Sequence, residues 1–291
     1  MRIAVVGAGI AGLTASIALG RDHDVTLFER APEFTAVGAG IVISANAARS
    51  LRSIGVDLTG TGRVVSTTTL ASADGEVLQR LDLAAHATTW GPTVAIARPD
   101  LHHRLVECLP PSVRVRLGAS IESVDVERAM VGVDGTFDSF DLLVGADGIN
   151  SLVRKEYEPT FRPDVDLRLC KFIWLGTHQK FDDAFTFIFE KTEHGWVWAH
   201  VYQFDADTAT FIVECLPETW ARWGFEQMSK EETIATCEKI FARHLGGHAL
   251  MSNAAHLRGS AVWMQFPRVI CERWYHGNIV LMGDAAATGH F

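Results

Sequence analysis

Three features of the sequence predict a mixed α/β fold, in which a discontinuous parallel-sheet domain carries an inserted antiparallel sheet. The chain opens as strand, helix, strand over residues 2–28. From about residue 160 it runs through strand-like segments joined by short polar breaks. At its end it returns to an apolar strand followed by small residues. A βαβ opening calls for a parallel sheet, and strands that succeed one another through short breaks pair antiparallel. No repeat or low-complexity linker separates the two textures, so the second reads as an insertion. The expected boundaries are 1–66, 98–160 and 271–291 for the discontinuous domain, and 67–97 and 161–270 for the inserted sheet.

Arg2–Val6 reads as a buried strand, Gly9–Leu19 as a helix stopped by Gly20, and Val25–Phe28 as a second strand. Ser44–Ile54 has helical spacing and Gly55 closes it. In TLASADGEVLQRL, Asp74-Gly75 between two alternating runs signals a hairpin. After TVAIA, Pro99 sits where a helix can start, and DLHHRLVECL keeps helical spacing as far as Pro110-Pro111. VRVRL, SIESVDVE, a hairpin around Asp134-Gly135 and DLLVGAD follow as short strands. KFIWLGT, AFTFIFE, GWVWAHVYQF and TATFIVECL form the inserted sheet. SKEETIATCEKIFARHLGG predicts a helix, with Ser229 and Glu232 as a capping box and Gly246 as its stop. Asn278 to Met282 is the last strand, and it runs into Gly283-Asp284.

All eight tryptophans lie at or after Trp90, and seven lie after residue 170. Strict alternation in GWVWAHVYQF puts Trp196, Trp198, His200, Tyr202 and Phe204 on one face. That face is expected to be an aromatic core, a wall of an aromatic pocket, or both. Trp198, His200 and Tyr202 are the substrate-pocket candidates, because a polar tip on an aromatic body can orient a ligand.

Composition excludes several classes. With 48% hydrophobic and 21% charged residues, the 291-residue chain has the make-up of a folded globular protein. A net charge of −9 without a Lys/Arg run argues against nucleic acid or an anionic membrane as partner. The five cysteines are scattered, which points to reduced thiols and a cytoplasmic location. The N-terminus is not read as a signal peptide, since Gly7, Gly9 and Gly12 interrupt the apolar stretch. No stretch approaches the ~20 apolar residues of a spanning helix. No metal site is expected: Gly246-Gly247 separates His244 from His248, and the usual zinc spacings are absent.

The residues that carry chemistry lie at three strand ends. VVGAGIAG places Gly7, Gly9 and Gly12 between a strand and a helix. The first glycine allows the tight turn, the second lets backbone approach a pyrophosphate, and the third lets helix and strand pack closely. The helix N-terminus offers free N–H groups and positive potential to phosphates. Glu29 ends the second strand twenty residues after Gly9, where it can accept from a ribose 2′-OH. A carboxylate there disfavours a 2′-phosphate, so the site suits FAD or NAD rather than NADP. FDLLVGADGINSLVR ends a strand at Asp147-Gly148 with Asn150/Ser151 as helix caps. NIVLMGDAAA presents Asp284 in the same way; each of these two motifs reads either as an ordinary turn or, for Asp284, as a carboxylate at a helix start aimed at ribityl hydroxyls of a flavin. An NAD-only enzyme has no need of that second acidic contact.

In order and spacing, GAGIAG, GADGINSLVR and GDAAA resemble the three fingerprints of the FAD-dependent aromatic hydroxylases, the p-hydroxybenzoate-hydroxylase-like flavoprotein monooxygenases. RPDLHHRL is similar to that family's Arg-containing segment, and GAGIVISANAARSLRSIGV to the stretch lining the flavin. The middle resembles salicylyl-CoA and anthraniloyl-CoA hydroxylases and a violacein-type hydroxylase. The resemblance implies a Rossmann-like FAD-binding domain with an antiparallel substrate sheet. It puts Gly7, Gly9, Gly12 and Asp147 at the pyrophosphate, Glu29 at the adenosine ribose, and Arg98 and Asp284 at the flavin end, with Ile10, Ala11, Arg30, Val124, Gly148 and Gly283 as further cofactor-binding residues.

The activity implied is hydroxylation of an aromatic or indolic small molecule, a CoA thioester among the candidates. NADH or NADPH would reduce FAD, and O₂ would react through a C4a-hydroperoxide. Two departures stand out. The family continues past the GD motif with a Gly-rich loop and helices, whereas this sequence stops at His290-Phe291, which suggests a C-terminal truncation and a weakly active fragment. Trp196-Val197-Trp198 echoes the WxW of flavin halogenases, whose pattern continues with Ile-Pro rather than Ala199-His200. The remaining alternatives are a nicotinamide-dependent dehydrogenase and a non-catalytic flavoprotein relative.

Overall fold

Ile3 and Val5 point to one side of the strand Arg2–Val6, Ala4 and Val6 to the other, and all four are buried. A strand apolar on both faces belongs at the centre of a parallel sheet covered on both sides. The computed structural model, which describes residues 1–289 apart from 36–39, 72–75, 126–127, 129, 134, 183 and 253–262, places it there. The sheet order is Tyr275–His276, Ile279–Leu281, Leu142–Gly145, Arg2–Val6, Asp24–Phe28, Arg114–Arg116. All neighbours are parallel except the first pair. Three distant stretches of chain therefore build one sheet. The helices Ile10–Leu19 and Arg98–Glu107 cover the Ile3/Val5 side through Leu13, Ile17, Leu101 and Leu105. The antiparallel meander Ile121–Asp125, Met130–Val133, Thr136–Ser139 and the helix Leu152–Glu156 cover the other.

The inserted sheet has eight strands among the described residues. Its spine is the long strand Pro163–Thr177, whose first half pairs with Met264–Cys271 and whose second half pairs with Ala209–Cys215 and Leu250–Ser252. Gly195–Gln203, Ala184–Thr192, Thr67–Ala71 and Val77–Asp82 extend it. One junction departs from the expected antiparallel pattern: Thr67–Ala71 runs parallel to Ala184–Thr192, because the two arrive in separate passes of the chain. A third, short sheet of Gly40–Ile43, Thr93–Ala97 and Arg63–Val65 links the two larger ones.

Most expected elements occur within a residue or two. The capping box forms: the Ser229 hydroxyl accepts from the Glu232 N–H, and the Glu232 carboxylate accepts from the Ser229 N–H. Its helix ends at Ile240, earlier than the stop at Gly246, because Phe241 turns into the core and a 3₁₀ turn follows. Two helices have little periodic signal and emerge only in the structure, Ala84–Trp90 and Pro217–Trp223. Asp74-Gly75, Asp134, Gly38 and Ala39 of GAGIVIS, and the terminal His290-Phe291 lie outside the described residues.

The alternating strand Gly195–Gln203 packs on both faces, with Tyr202 of its aromatic face in a small core cluster with Val65 and Ala95. On the aliphatic face, Val197, Ala199 and Val201 pack with Ile173, Leu175, Phe211 and Val213. The helix Lys230–Ile240 and the turn after it bring Cys237, Phe241 and Leu245 onto that side. The aromatic face looks the other way and grades from Trp196, 47% exposed, to Tyr202, 5% exposed. Phe241→Ala should therefore cost about 3–5 kcal/mol in urea denaturation, as for other buried aromatics, since Phe241 is fully buried and edge-on to Phe211 at 5.2 Å. Trp196→Ala should cost about 1 kcal/mol or less.

Candidate cofactor site

The Gly-rich turn is built by close backbone approach. Gly7 has φ +99°, and a Cβ there would lie 2.5 Å from the Ala146 carbonyl oxygen. A Cβ on Gly12 would lie 1.8 Å from the Gly7 oxygen. Gly9 is the opposite case: a Cβ there meets nothing within 4 Å. It caps the helix Ile10–Leu19 without a side-chain partner, and the first helical turn has no acidic residue. The N–H groups of that turn are left pointing into open space, as an anion requires.

The other two motifs come to the same place. Asp147 follows Ala146 across from Gly7, and its Oδ2 accepts the N–H groups of Leu152 (2.7 Å) and Val153 (3.2 Å). Its Oδ1 is buried with no protein partner among the described residues, an acceptor free for a ligand hydroxyl or water. Ser151 caps the same helix by accepting from the Arg154 N–H at 3.0 Å. Gly283, with φ +58°, sits over the first turn of the Gly-rich helix, since a Cβ on it would come within 2.8 Å of the Ala11 Cβ. Asp284 follows it in the turn after the last strand, partly exposed and partly surrounded by chain. Crowding by the surrounding chain pushes its carboxyl above the usual carboxylate range, and the Arg98 guanidinium opposes that shift.

A cleft runs between these elements, lined by Ala8, Gly9, Ile10, Glu29, Phe34, Thr35, Arg98 and His102. Glu29 reaches it from the end of the second strand, and its carboxylate already accepts from the Ala8 N–H at 2.8 Å and the Ala31 N–H at 2.9 Å. Glu29 therefore shapes the Gly-rich loop as well as lining the cleft. Of the further cofactor-binding candidates, Arg30 is exposed just beyond Glu29. The Val124 side chain is buried in the core behind the sheet, and its carbonyl accepts from the Tyr157 hydroxyl at 3.0 Å.

Two positioning residues escaped the sequence reading. His102 Nε2 donates to the Ala8 carbonyl at 2.9 Å from beneath the loop. Ala8 is thus gripped at its N–H by Glu29 and at its C=O by His102, which fixes the peptide leading to Gly9. Arg154, buried, donates to the carbonyls of Asp284 (3.3 Å), Ala285 (3.0 Å) and Ile149. It staples the second motif to the third. Both residues lie inside segments already singled out, RPDLHHRL and GADGINSLVR, but nothing in the local pattern names their carbonyl partners.

The substrate-pocket candidates lie together on the aromatic face of the inserted sheet. Trp198 Nε1 donates to Glu214 Oε2 at 2.8 Å, and His200 Nε2 stands 3.4 Å from the same oxygen. Glu214 is only 4% exposed. Phe187 lies edge-on to His200 at 4.9 Å, and Phe185 stacks on Tyr202 at 5.1 Å. Tyr202 donates its hydroxyl to the Gly40 carbonyl, and burial raises its pKa. It acts as a strut to the short sheet rather than as a free polar handle. Among the described residues no group of His, Cys, Asp and Glu is arranged to hold a metal, and no helix is long and apolar enough to cross a membrane.

The residues present fit FAD: an open helix N-terminus, a glycine cradle with room only at Gly9, and an unpartnered Asp147 oxygen. Gly12→Ala should destabilise the fold by at least about 1–3 kcal/mol, because backbone must move. Gly9→Ala should change stability by less than about 1 kcal/mol yet weaken FAD binding about tenfold or more; urea denaturation and flavin-fluorescence titration separate the two. His102→Leu should weaken FAD binding severalfold, and His102→Gln, which retains an N–H donor, should recover much of it.

Comparison with known proteins agrees with this geometry. A family described as FAD binding domain matches residues 1–289. The chain is 36% identical over 162 residues to a salicyloyl-CoA 5-hydroxylase of a Streptomyces species, covering 53% of this chain and 30% of that protein. It is 36% identical over 152 residues to protodeoxyviolaceinate monooxygenase of Chromobacterium violaceum, covering 52% and 39%. Over its whole length it is 27% identical to a 3-hydroxy-4-methyl-anthranilyl-[aryl-carrier protein] 5-monooxygenase of Streptosporangium sibiricum, covering 73% of that protein. The alignments to the first two thus span well under half of those relatives. Among solved structures, the tetrameric form of 2-methyl-3-hydroxypyridine-5-carboxylic acid oxygenase has the same fold, with a TM-score of 0.80 at 21% identity over 98% of this chain and 75% of that one. With the family match running across all three motifs and both sheets, the chain belongs to the FAD binding domain family and resembles its aromatic hydroxylases.

Proposed function

We propose that the chain forms the flavin-binding and substrate-facing part of a cytoplasmic FAD-dependent monooxygenase. Its substrate is an aromatic or indolic small molecule, a CoA thioester among the candidates, and NADH or NADPH and O₂ are its co-substrates. The observation that carries the proposal is where the aromatic face ends. Tyr202 holds the Gly40 carbonyl, Gly40 pairs with Ala97, and Arg98 at the cofactor cleft comes next in the chain. An aromatic, half-buried wall thus abuts the flavin end of the cleft.

FAD, when bound, supplies the redox chemistry and the activation of O₂. The chain's own residues do the rest. The N–H groups of the Ile10–Leu19 helix bind the diphosphate, with Gly7, Gly9, Ile10, Ala11 and Gly12 shaping the approach. Glu29 accepts a ribose hydroxyl, with Arg30 on the adenosine side. Asp147 Oδ1 would accept from a cofactor hydroxyl or a bridging water, and Arg98, Gly283 and Asp284 would face the flavin end. Trp198 and His200, both held by Glu214, orient the substrate ring. Tyr202 and its stacked Phe185 close the gap to the short sheet and keep water out. A nicotinamide-only dehydrogenase leaves Asp147 Oδ1 and Asp284 with nothing to hold.

The test supplies the protein with FAD, NADH or NADPH, ¹⁸O₂ and a panel of hydroxy- and amino-benzoates, their CoA thioesters, and indoles. A product heavier by one labelled oxygen is the expected outcome. Label confined to peroxide and water for every aromatic would overturn the reading. His200→Ala and Trp198→Ala should lower the ratio of product to nicotinamide consumed by about tenfold, with FAD affinity unchanged, if the face orients the ring.

A further inference from the structure

The helix Ala84–Trp90 has no core role: none of its residues is buried, and it ends at Gly91 with φ +87°. What it does is present Trp90, 53% exposed, to the helix Ala45–Ser53. Between the two helices lies a second cleft of about 420 Å³ including its open mouth. Ala48, Gly91 and Pro92 give it a small, flat floor, and Arg49, Arg52 and Trp90 give it walls. The Arg49 guanidinium stands 5.3 Å from the Trp90 ring centroid, which holds the indole in place. Arg49 has no ion-pair partner among the described residues. Arg52 has only Asp57 at 3.8 Å, with both side chains more than half exposed, a pair that solvent screens and a ligand can displace. Arg49 and Arg52 are three apart on one helix, so both face the same cleft. In a chain of net charge −9, two available guanidinium groups beside an open aromatic ring form a local site for an anion attached to a planar ring.

We propose that this cleft binds an adenine nucleotide carrying a ribose phosphate, with the base against Trp90 and the phosphate between Arg49 and Arg52. That chemistry is shared by phosphorylated nicotinamide dinucleotide and coenzyme A. The cleft is distinct from the Gly-rich one. It lies at the Ile43 and Thr93 end of the short sheet, whereas Gly40 and Arg98 lie at the other end, roughly 10–13 Å away along the strands. A ligand anchored here by its nucleotide therefore extends along the short sheet toward the flavin end. Naming the source as co-substrate or thioester substrate rests on the monooxygenase reading; the recognition chemistry of the cleft does not.

The experiment titrates the FAD-saturated protein with 2′,5′-ADP, 3′,5′-ADP and unphosphorylated adenosine by calorimetry. FAD affinity is measured separately by flavin fluorescence, so a failure of flavin binding appears on its own. One bisphosphate should bind at least about tenfold more tightly than adenosine, and Arg49→Ala and Trp90→Ala should each weaken it about tenfold or more. Trp90→Ala should leave FAD affinity and the urea midpoint unmoved, since the Trp90 side chain is exposed and lies outside the cofactor segments. Preference for the 2′-phosphate identifies the nicotinamide co-substrate, and preference for the 3′-phosphate identifies a CoA thioester. Absence of binding by either bisphosphate, or binding indifferent to both substitutions, would overturn the proposal.

Discussion

The approach of Gly12 to the Gly7 carbonyl governs the rest of the cofactor site. There is no room for a side-chain carbon between them, so the first helix crosses the end of the first strand at backbone distance. That crossing aims the helix N-terminus past Gly9 into the cleft. It also brings Ala11 under Gly283, and Gly7 against Ala146 and Asp147. Three motifs separated by more than a hundred residues of sequence meet because one helix packs this closely. A larger residue at either glycine would push the helix away and loosen all three contacts together.

Around that crossing, polar side chains do the fixing and aliphatic ones the filling. Glu29 and His102 grip Ala8 from two sides, Asp147 and Ser151 cap the Leu152–Glu156 helix, and Arg154 reaches the carbonyls of the Gly283–Ala285 turn. Each spends its hydrogen-bonding capacity on backbone groups that would otherwise be buried without partners. Loop geometry is thereby set before any ligand arrives, and this preorganisation spares a bound cofactor the cost of ordering the loop. Asp147 Oδ1 and the open helix N-terminus are the exceptions, and both face where a ligand is expected.

The inserted sheet divides its labour by face. Val197, Ala199 and Val201 supply the apolar packing that holds the sheet to the helix Lys230–Ile240, which frees the opposite face to carry Trp198, His200 and Glu214. A buried carboxylate is tolerated there because Trp198 Nε1 and the His200 ring stand against it. Tyr202 joins that face to the short sheet and so to Arg98, which makes the short sheet the junction between the aromatic face and the Gly-rich cleft.

The sequence by itself determined what depends on near neighbours. The strand-turn-helix at Gly7 to Gly12, the capping box at Ser229, the glycine stops and the period-two strands are short-range matters of steric space and hydrogen bonding. So is the placement of Glu29, Asp147 and Asp284 at strand ends, and these residues do converge on one end of the parallel sheet. Only the tertiary structure decided what covers each face of the Gly195–Gln203 strand, because alternation distinguishes two faces but not what will cover either. It likewise decided the parallel junction of Thr67–Ala71 with Ala184–Thr192, the burial of the Val124 side chain, and the carbonyl partners of His102 and Arg154. The Arg49–Trp90 cleft joins segments some forty residues apart. Contacts of that kind follow from chain crossings and long-range packing, which no local pattern of residue types encodes.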